Sequence, residues 1–252
     1  MHAIVLSQQP IREYDALVTL YTKEHGKYDV IAKGLKKSTS KHAGVLQPCA
    51  FVDAHIVRGK EIDYLTTVYV EEYFSHIRTN IVYASIAQAM VKGYSQLFEP
   101  KERDTRAFDH LYQSLDQVSR VTSAITIFLD IFFLRTIALL GFPPNLTACG
   151  NCEKDLQHED TSFFLFETGE GVCVSCMPGG SIHKKTGIRL SAISREYLVH
   201  ALDLAVFEET SLDTSDTPWR EEVHEAVYGY STFHTGRRVF DWANIEKLLC
   251  RA

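Results

Sequence analysis

The 252 residues suffice for one large domain or two to three small ones, and a hydrophobic content of 45% is that of a globular chain with a real core. With 26 Lys and Arg against 32 Asp and Glu, the formal net charge of -6 excludes a generally cationic nucleic-acid binder and leaves room only for a local anion site. Residues 1–79 hold ten basic and nine acidic side chains, so the acidity lies in the rest of the chain. Between Lys23 and Lys60, Lys23, Lys27, Lys33, Lys36, Lys37, Lys41, Arg58 and Lys60 face only Glu24, Asp29 and Asp53.

The N-terminal apolar run is too short for the core of a signal peptide and lacks a small-residue cleavage site, so the expectation is a cytoplasmic chain. Short runs rich in Val, Ile, Tyr and Thr then recur between turn residues. They predict strands over 2–7, 15–22, 27–33, 49–57 and 62–70, with turns at Gln9-Pro10, His25-Gly26, 34–44 and Arg58-Gly59. Five short strands in about seventy residues fit a small closed barrel of the OB type, which often binds oligonucleotides, while an SH3-like barrel fits the same pattern.

From Asn80 the period becomes helical, through Ile81, Ile86, Met90, Val91 and Leu97, then Phe108, Leu111, Leu115 and Val118. A long apolar helix over 122–140 stops at Gly141-Phe142-Pro143-Pro144. Asp130 and Arg135 interrupt that apolar run, and both would be costly in lipid, so it reads as a buried helix and no membrane association is expected. Further helices are predicted over 191–208 and 217–235, the second with Thr217 as N-cap and Pro218 at its first position. The expected fold is α+β and multidomain: an OB-type barrel over 1–79, a helical domain over 80–145 and 183–252, and a four-cysteine zinc ribbon inserted over 146–182.

Cys149-Gly-Asn-Cys152 and Cys173-Val-Ser-Cys176 carry the most specific local chemistry. Two residues between thiols let one tight turn direct both sulfurs at a single ion, and two such turns complete a closed tetrahedron. One structural Zn2+ is expected there, with metal-free knuckles or a redox pair as alternatives; Ser162 to Phe166 and Gly171 to Val174 would supply ribbon strands. Cys49 and Cys250 read as ordinary thiols.

The segment from Lys33 to Gly44 carries Lys33, Lys36, Lys37 and Lys41 among small residues, a composition suited to phosphate contact. Lys27 and Arg58 on the adjoining strands join them as candidate DNA contacts, and Lys184, Lys185 and Arg189 could extend the track. Tyr14, Tyr21, Tyr28, Tyr64 and Tyr69 could stack on bases, or could serve only as barrel wall. For catalysis, GxxxxGK[ST] and GxSxG are absent, and Tyr228 stands where a metalloprotease starting at His224-Glu225 would need its second His. No enzymatic activity is expected.

Three runs in order carry a resemblance: Tyr14-Asp-Ala-Leu-Val-Thr-Leu-Tyr-Thr-Lys-Glu-His-Gly-Lys with Val30-Ile-Ala-Lys-Gly and Leu46-Gln-Pro, then Ala138-Leu-Leu-Gly-Phe-Pro-Pro-Asn-Leu leading into Cys149, then Phe233-His-Thr-Gly-Arg-Arg. Together they resemble the RecO family of recombination mediators. The resemblance implies an OB-fold domain, a helical domain interrupted by a zinc finger, binding and annealing of single-stranded DNA, contact with double-stranded DNA, a nucleoid-associated location, and work alongside RecR and SSB. It also implies a site for the SSB C-terminal tail, for which Arg135 and, more weakly, Arg120 are the candidates. An arginine in an apolar helix must reach solvent, pair, or await an anion, and Asp130 lies about 140° around the helix from it. The rival reading is a zinc-ribbon interaction scaffold that binds only proteins.

Overall fold

The computed structural model describes residues 1–118, 120, 125–177, 182–183, 185–203 and 218–237. These fall into two compact units, one ending at 118 and one beginning at Arg120.

The first unit contains strands β1 (His2–Pro10), β2 (Ala16–Thr22), β3 (Gly26–Ala32), β4 (Phe51–Val57) and β5 (Asp63–Glu72), closed into a barrel in the order β1-β2-β3-β5-β4. All pairings are antiparallel except β3 with β5, and β4 returns to β1 through His2–Asp53 and Ile4–Phe51. That order is the OB arrangement, which decides between the two barrel types left open by the strand pattern. Alternation along the strands sends Ala3, Val5, Ala16, Val18, Leu20, Val30, Val52 and Ala54 into one apolar core. The expected turn at Gln9-Pro10 is corrected: β1 runs on to Pro10, which pairs with Ala16, and the chain reverses over 11–15. Pro10 is tolerated because it sits at the strand end, where its missing donor costs no central ladder bond.

Among the described residues this unit also holds three helices: α1 (Ser75–Thr79), α2 (Ile81–Leu97) and α3 (Thr105–Gln117). Asn80 caps α2 by accepting from the Val82 and Tyr83 amides, and Asp104 caps α3 by accepting from Arg106 and Ala107. Tyr94 of α2 and Phe98, its C-cap, close edge-on around Tyr21 of β2, at 5.2 and 5.3 Å between centroids. Residues 80–117, assigned from sequence to the helical domain, therefore group with the barrel.

The second unit holds α4 (Ile125–Leu139), β6 (Asn145–Cys149), β7 (Thr161–Leu165), β8 (Glu170–Cys173), β9 (Gly187–Ser191), α5 (Ala192–Asp203) and α6 (Pro218–Thr235). The strands form one sheet in the order β6-β8-β7-β9. Only β7 and β8 were expected; β9 lies past the anticipated end of the ribbon and leads directly into α5, whose first turn the Ser191 hydroxyl caps at the Ser194 amide. Phe128, Leu129, Phe132, Phe133, Leu134 and Ile137 make α4 apolar nearly all round, as a buried helix requires. Its Asp130, 1% exposed, is bonded to His224 Nδ1 at 3.0 Å. Gly229 of α6 lies against the Phe166 ring, where a Cβ would fall 2.4 Å from Cε2, so glycine sets the distance between helix and sheet. Among the described residues no helix is long and apolar enough to cross a membrane. The Thr217 cap, the start of the predicted 122–140 helix, the end of the predicted 191–208 helix, Lys184 and Cys250 lie outside the described residues.

Candidate nucleic-acid interface and metal centre

Strand register brings two connections to one end of the barrel. Pro10 pairs with Ala16 and Ala16 with Ala32, so segments 11–15 and 33–50 leave from that end, whereas 58–62 precede β5, whose parallel pairing with β3 sets them beside Lys27, Tyr28 and Asp29. The basic segment is not a loose tether. Leu35 and Leu46 plug the barrel core, Asp15 Oδ1 accepts from the Gly34 amide at 2.8 Å, and the Lys36 amide donates to the Tyr14 carbonyl at 3.0 Å. Two apolar side chains inside a lysine-rich stretch were the sequence sign of this anchoring.

On that frame Lys33, Lys36, Lys37, Lys41 and Arg58 are exposed. Lys33 Nζ sits 4.3 Å from the Tyr64 ring centroid, and Lys37 Nζ lies 5.7 Å from that of Tyr14, so cation and aromatic ring come as pairs. Lys27 is different: its ammonium donates to the carbonyls of Ser95 at 2.6 Å and Phe98 at 3.2 Å, finishing α2. It serves first as a structural cap. Asp63 lies beside Arg58, and the hydrogen bond from Tyr28, with a second from the Gly59 amide, holds its carboxyl below the usual range. Arg58 therefore stands beside a fixed anion, apart from the lysines of the 33–50 segment.

The tyrosines separate into classes. Tyr14 and Tyr69 are 46% and 60% exposed, Tyr28 and Tyr64 are half-buried, and Tyr21 is fully buried. Tyr21 is corrected from candidate base-stacker to core residue; Tyr94 and Phe98, the aromatic pair at the end of α2 that encloses it, are distant in sequence.

The cysteine knuckles face each other across β6 and β8. All four Sγ atoms lie within 4.8 Å of one another, with Cys149 and Cys173 buried, Cys176 half-buried and Cys152 exposed. They could hold a metal ion. The first knuckle turns because Glu153 takes a left-handed conformation (φ 59°), while the Glu153 amide donates to the Cys149 carbonyl and the Cys149 amide to the Lys154 carbonyl, both at 2.8 Å. Burial would push the Cys149 thiol up, but amide donors, led by Cys173, outweigh it and bring it down to about 6. Hydrogen bonds with the Cys152 and Cys173 sulfurs push the Cys176 thiol up to about 12.

Arg135 is half-buried on α4: Nε donates to the Ala201 carbonyl at 2.7 Å, and Nη2 is buried without a hydrogen-bond partner. Arg120 is exposed. Lys185 is exposed and Arg189 donates to Thr161 Oγ1 at 3.4 Å. Sequence reasoning missed Arg195, 1% exposed, whose Nη1 donates to Ser162 Oγ at 3.3 Å and Nη2 to the Glu159 carbonyl at 2.8 Å, tying α5 to the ribbon. No motif distinguishes it from a surface arginine.

Two family models match the chain: "Recombination protein O N terminal" over residues 1–74 and "Recombination protein O C terminal" over residues 78–239. Among curated proteins it is similar to the DNA repair protein RecO of Caldanaerobacter subterraneus subsp. tengcongensis, 29% identical over 174 residues, covering 69% of each chain. It is likewise similar to the DNA repair protein RecO of a Thermoanaerobacter species, 28% identical over 174 residues with the same coverage.

Proposed function

Since the chain belongs to the Recombination protein O family, we propose that it acts in DNA repair as a recombination mediator, without catalytic turnover, that binds and anneals single-stranded DNA and recruits RecR and SSB. The observation carrying this reading is the barrel end where exposed Lys33, Lys36, Lys37 and Lys41 stand with Tyr14 and Tyr64, while exposed Arg58 lies on the β4–β5 connection. Lysines neutralise phosphates and release their counterions, while rings offer a π-face to any base. Such contacts ignore sequence, as annealing of arbitrary strands demands, and their phosphate part extends to double-stranded DNA.

The four thiols hold one structural zinc in this reading. At a Zn–S distance of about 2.3 Å, a tetrahedron puts sulfurs about 3.8 Å apart, and Cys152 and Cys173 are separated by 3.8 Å. Four thiolates leave no open coordination position, so the ion would fix the two knuckles rather than supply chemistry.

Arg135 is the proposed anchor for the SSB C-terminal tail, through its unpartnered Nη2 meeting a carboxylate, with Arg120 a second candidate. Calorimetric titration of a tail peptide is expected to show binding that Arg135→Ala weakens about tenfold or more; equal affinities in a folded variant would remove Arg135 from the site.

The scaffold reading, in which the basic end meets only protein, draws on the positions of Lys33 and Lys37 over the protein's own tyrosines. Annealing of complementary strands precoated with SSB separates the two. The mediator reading expects acceleration by the wild type and loss of it on changing Lys33, Lys36, Lys37 and Lys41 to Gln; no acceleration by the wild type leaves the scaffold.

A further inference from the structure

The second unit carries a groove of about 610 Å³ that neither the DNA reading nor the metal reading uses. One wall is β6 and the turn after the first knuckle, contributing Leu146, Ala148, Glu153 and Asp155; the other is α5, contributing Glu196 and Val199. Its lining is mixed: Leu146, buried, with Ala148 and Val199, half-buried, are the apolar members, and Glu153, Asp155 and Glu196 stand exposed among Thr147 and Gln157.

The positive groups here are largely committed. Arg195 lies in the wall with both Nη atoms bonded to Ser162 and the Glu159 carbonyl, and Lys154 is ion-paired with Glu159. His200 also lines the groove. Three rim carboxylates against one buried guanidinium leave the groove negative, in keeping with the acidity of the chain beyond residue 79. A nucleic acid would be repelled from such a surface.

A small apolar patch among three carboxylates selects a ligand with an apolar residue flanked by cations. We propose that this groove docks an extended, lysine- or arginine-bearing segment of a protein partner, with one aliphatic side chain on Leu146 and Val199 and its cations against Glu153, Asp155 and Glu196. Glu153 follows Cys152 directly and owes its position to the knuckle, so the rim is built by the same turn that presents the thiols. The docking surface lies wholly within the second unit and does not depend on the DNA reading.

The test is fluorescence anisotropy of the full chain with a labelled peptide alternating lysine with leucine and alanine, against the same peptide carrying glutamate for lysine. The lysine peptide is expected to bind, with affinity falling as salt rises, and the glutamate peptide is not. Changing Glu153→Gln, Asp155→Asn and Glu196→Gln together is expected to weaken binding about tenfold, since each exposed pair contributes modestly. Control changes Glu61→Gln and Glu71→Gln in the barrel unit are expected to leave it intact. Circular dichroism and thermal melting confirm folding, and a gel shift with single-stranded DNA is expected to be unaltered in the triple variant. Absence of peptide binding, or equal binding by wild type and folded triple variant, would overturn the proposal. So would competition by oligonucleotides that the triple change abolishes, because the groove would then serve nucleic acid.

Discussion

The barrel and the ribbon sheet are both built from short strands, yet their interiors have different substance. Thirteen buried residues fill the barrel, from Ala3 and Val5 to Leu46 and Val68, all apolar and drawn from all five strands and the long connection. Among the described residues, the compact cluster under the knuckles holds Cys149, Leu156, Val172 and Cys173, with Leu165 and Cys176 against it. Half of that small interior is thiol. A barrel that buries this much aliphatic surface is held by the hydrophobic effect, whereas a cluster so small needs a cross-link or an ion to hold two turns together.

The largest effect should therefore come from attacking the thiols. Replacing Cys173 and Cys176 with Ser is expected to abolish metal content, to expose amides of 145–176 to hydrogen exchange, and to leave barrel amides protected. The measurements are elemental analysis and exchange by mass spectrometry, and unchanged ribbon protection in the double variant would break the contrast.

The converse change is Leu46→Ala, which empties a fully buried position in the barrel. A loss of about 2–5 kcal/mol is expected from the removed contacts and the cavity. Chemical denaturation reads it, with metal content expected to stay at the wild-type level. Because Leu46 also anchors the basic segment, DNA affinity should fall with it.

A smaller effect concerns how β9 meets α6. Burial raises the Glu222 carboxyl, but the Ser191 amide and the Ser194 and Ser191 hydroxyls outweigh it and hold it below its ordinary value. A carboxyl depressed in the folded state contributes stability that is present above its unfolded value of about 4.3 and is lost as pH falls through the folded value. The melting temperature is therefore expected to fall on acidification more steeply in the wild type than in Glu222→Gln, as thermal melts at pH 7 and pH 4 would show.

These contrasts also explain what could be read in advance. The five barrel strands were legible because period-2 alternation survives wherever one face is buried, as in Ala16, Val18 and Leu20 of β2. The knuckles were legible because metal chemistry dictates spacing. β6 and β9 were not, being five-residue strands lying against a proline pair and a helix start, where no periodicity can accumulate. Lys27 and Tyr21 looked like ligand contacts because residue type says nothing of a partner helix seventy positions away, and only tertiary placement shows that α2 claims both.

The central claim rests on the basic end of the barrel, and the salt dependence of single-stranded DNA affinity tests it most directly. Wild type and a folded variant with Lys33, Lys36, Lys37 and Lys41 changed to Gln would be titrated across a range of salt concentrations. The prediction is weaker binding together with a log–log slope shallower by about 0.7 for each lysine that contacts a phosphate. Unchanged affinity and slope in the variant would contradict the account and move DNA off the barrel end.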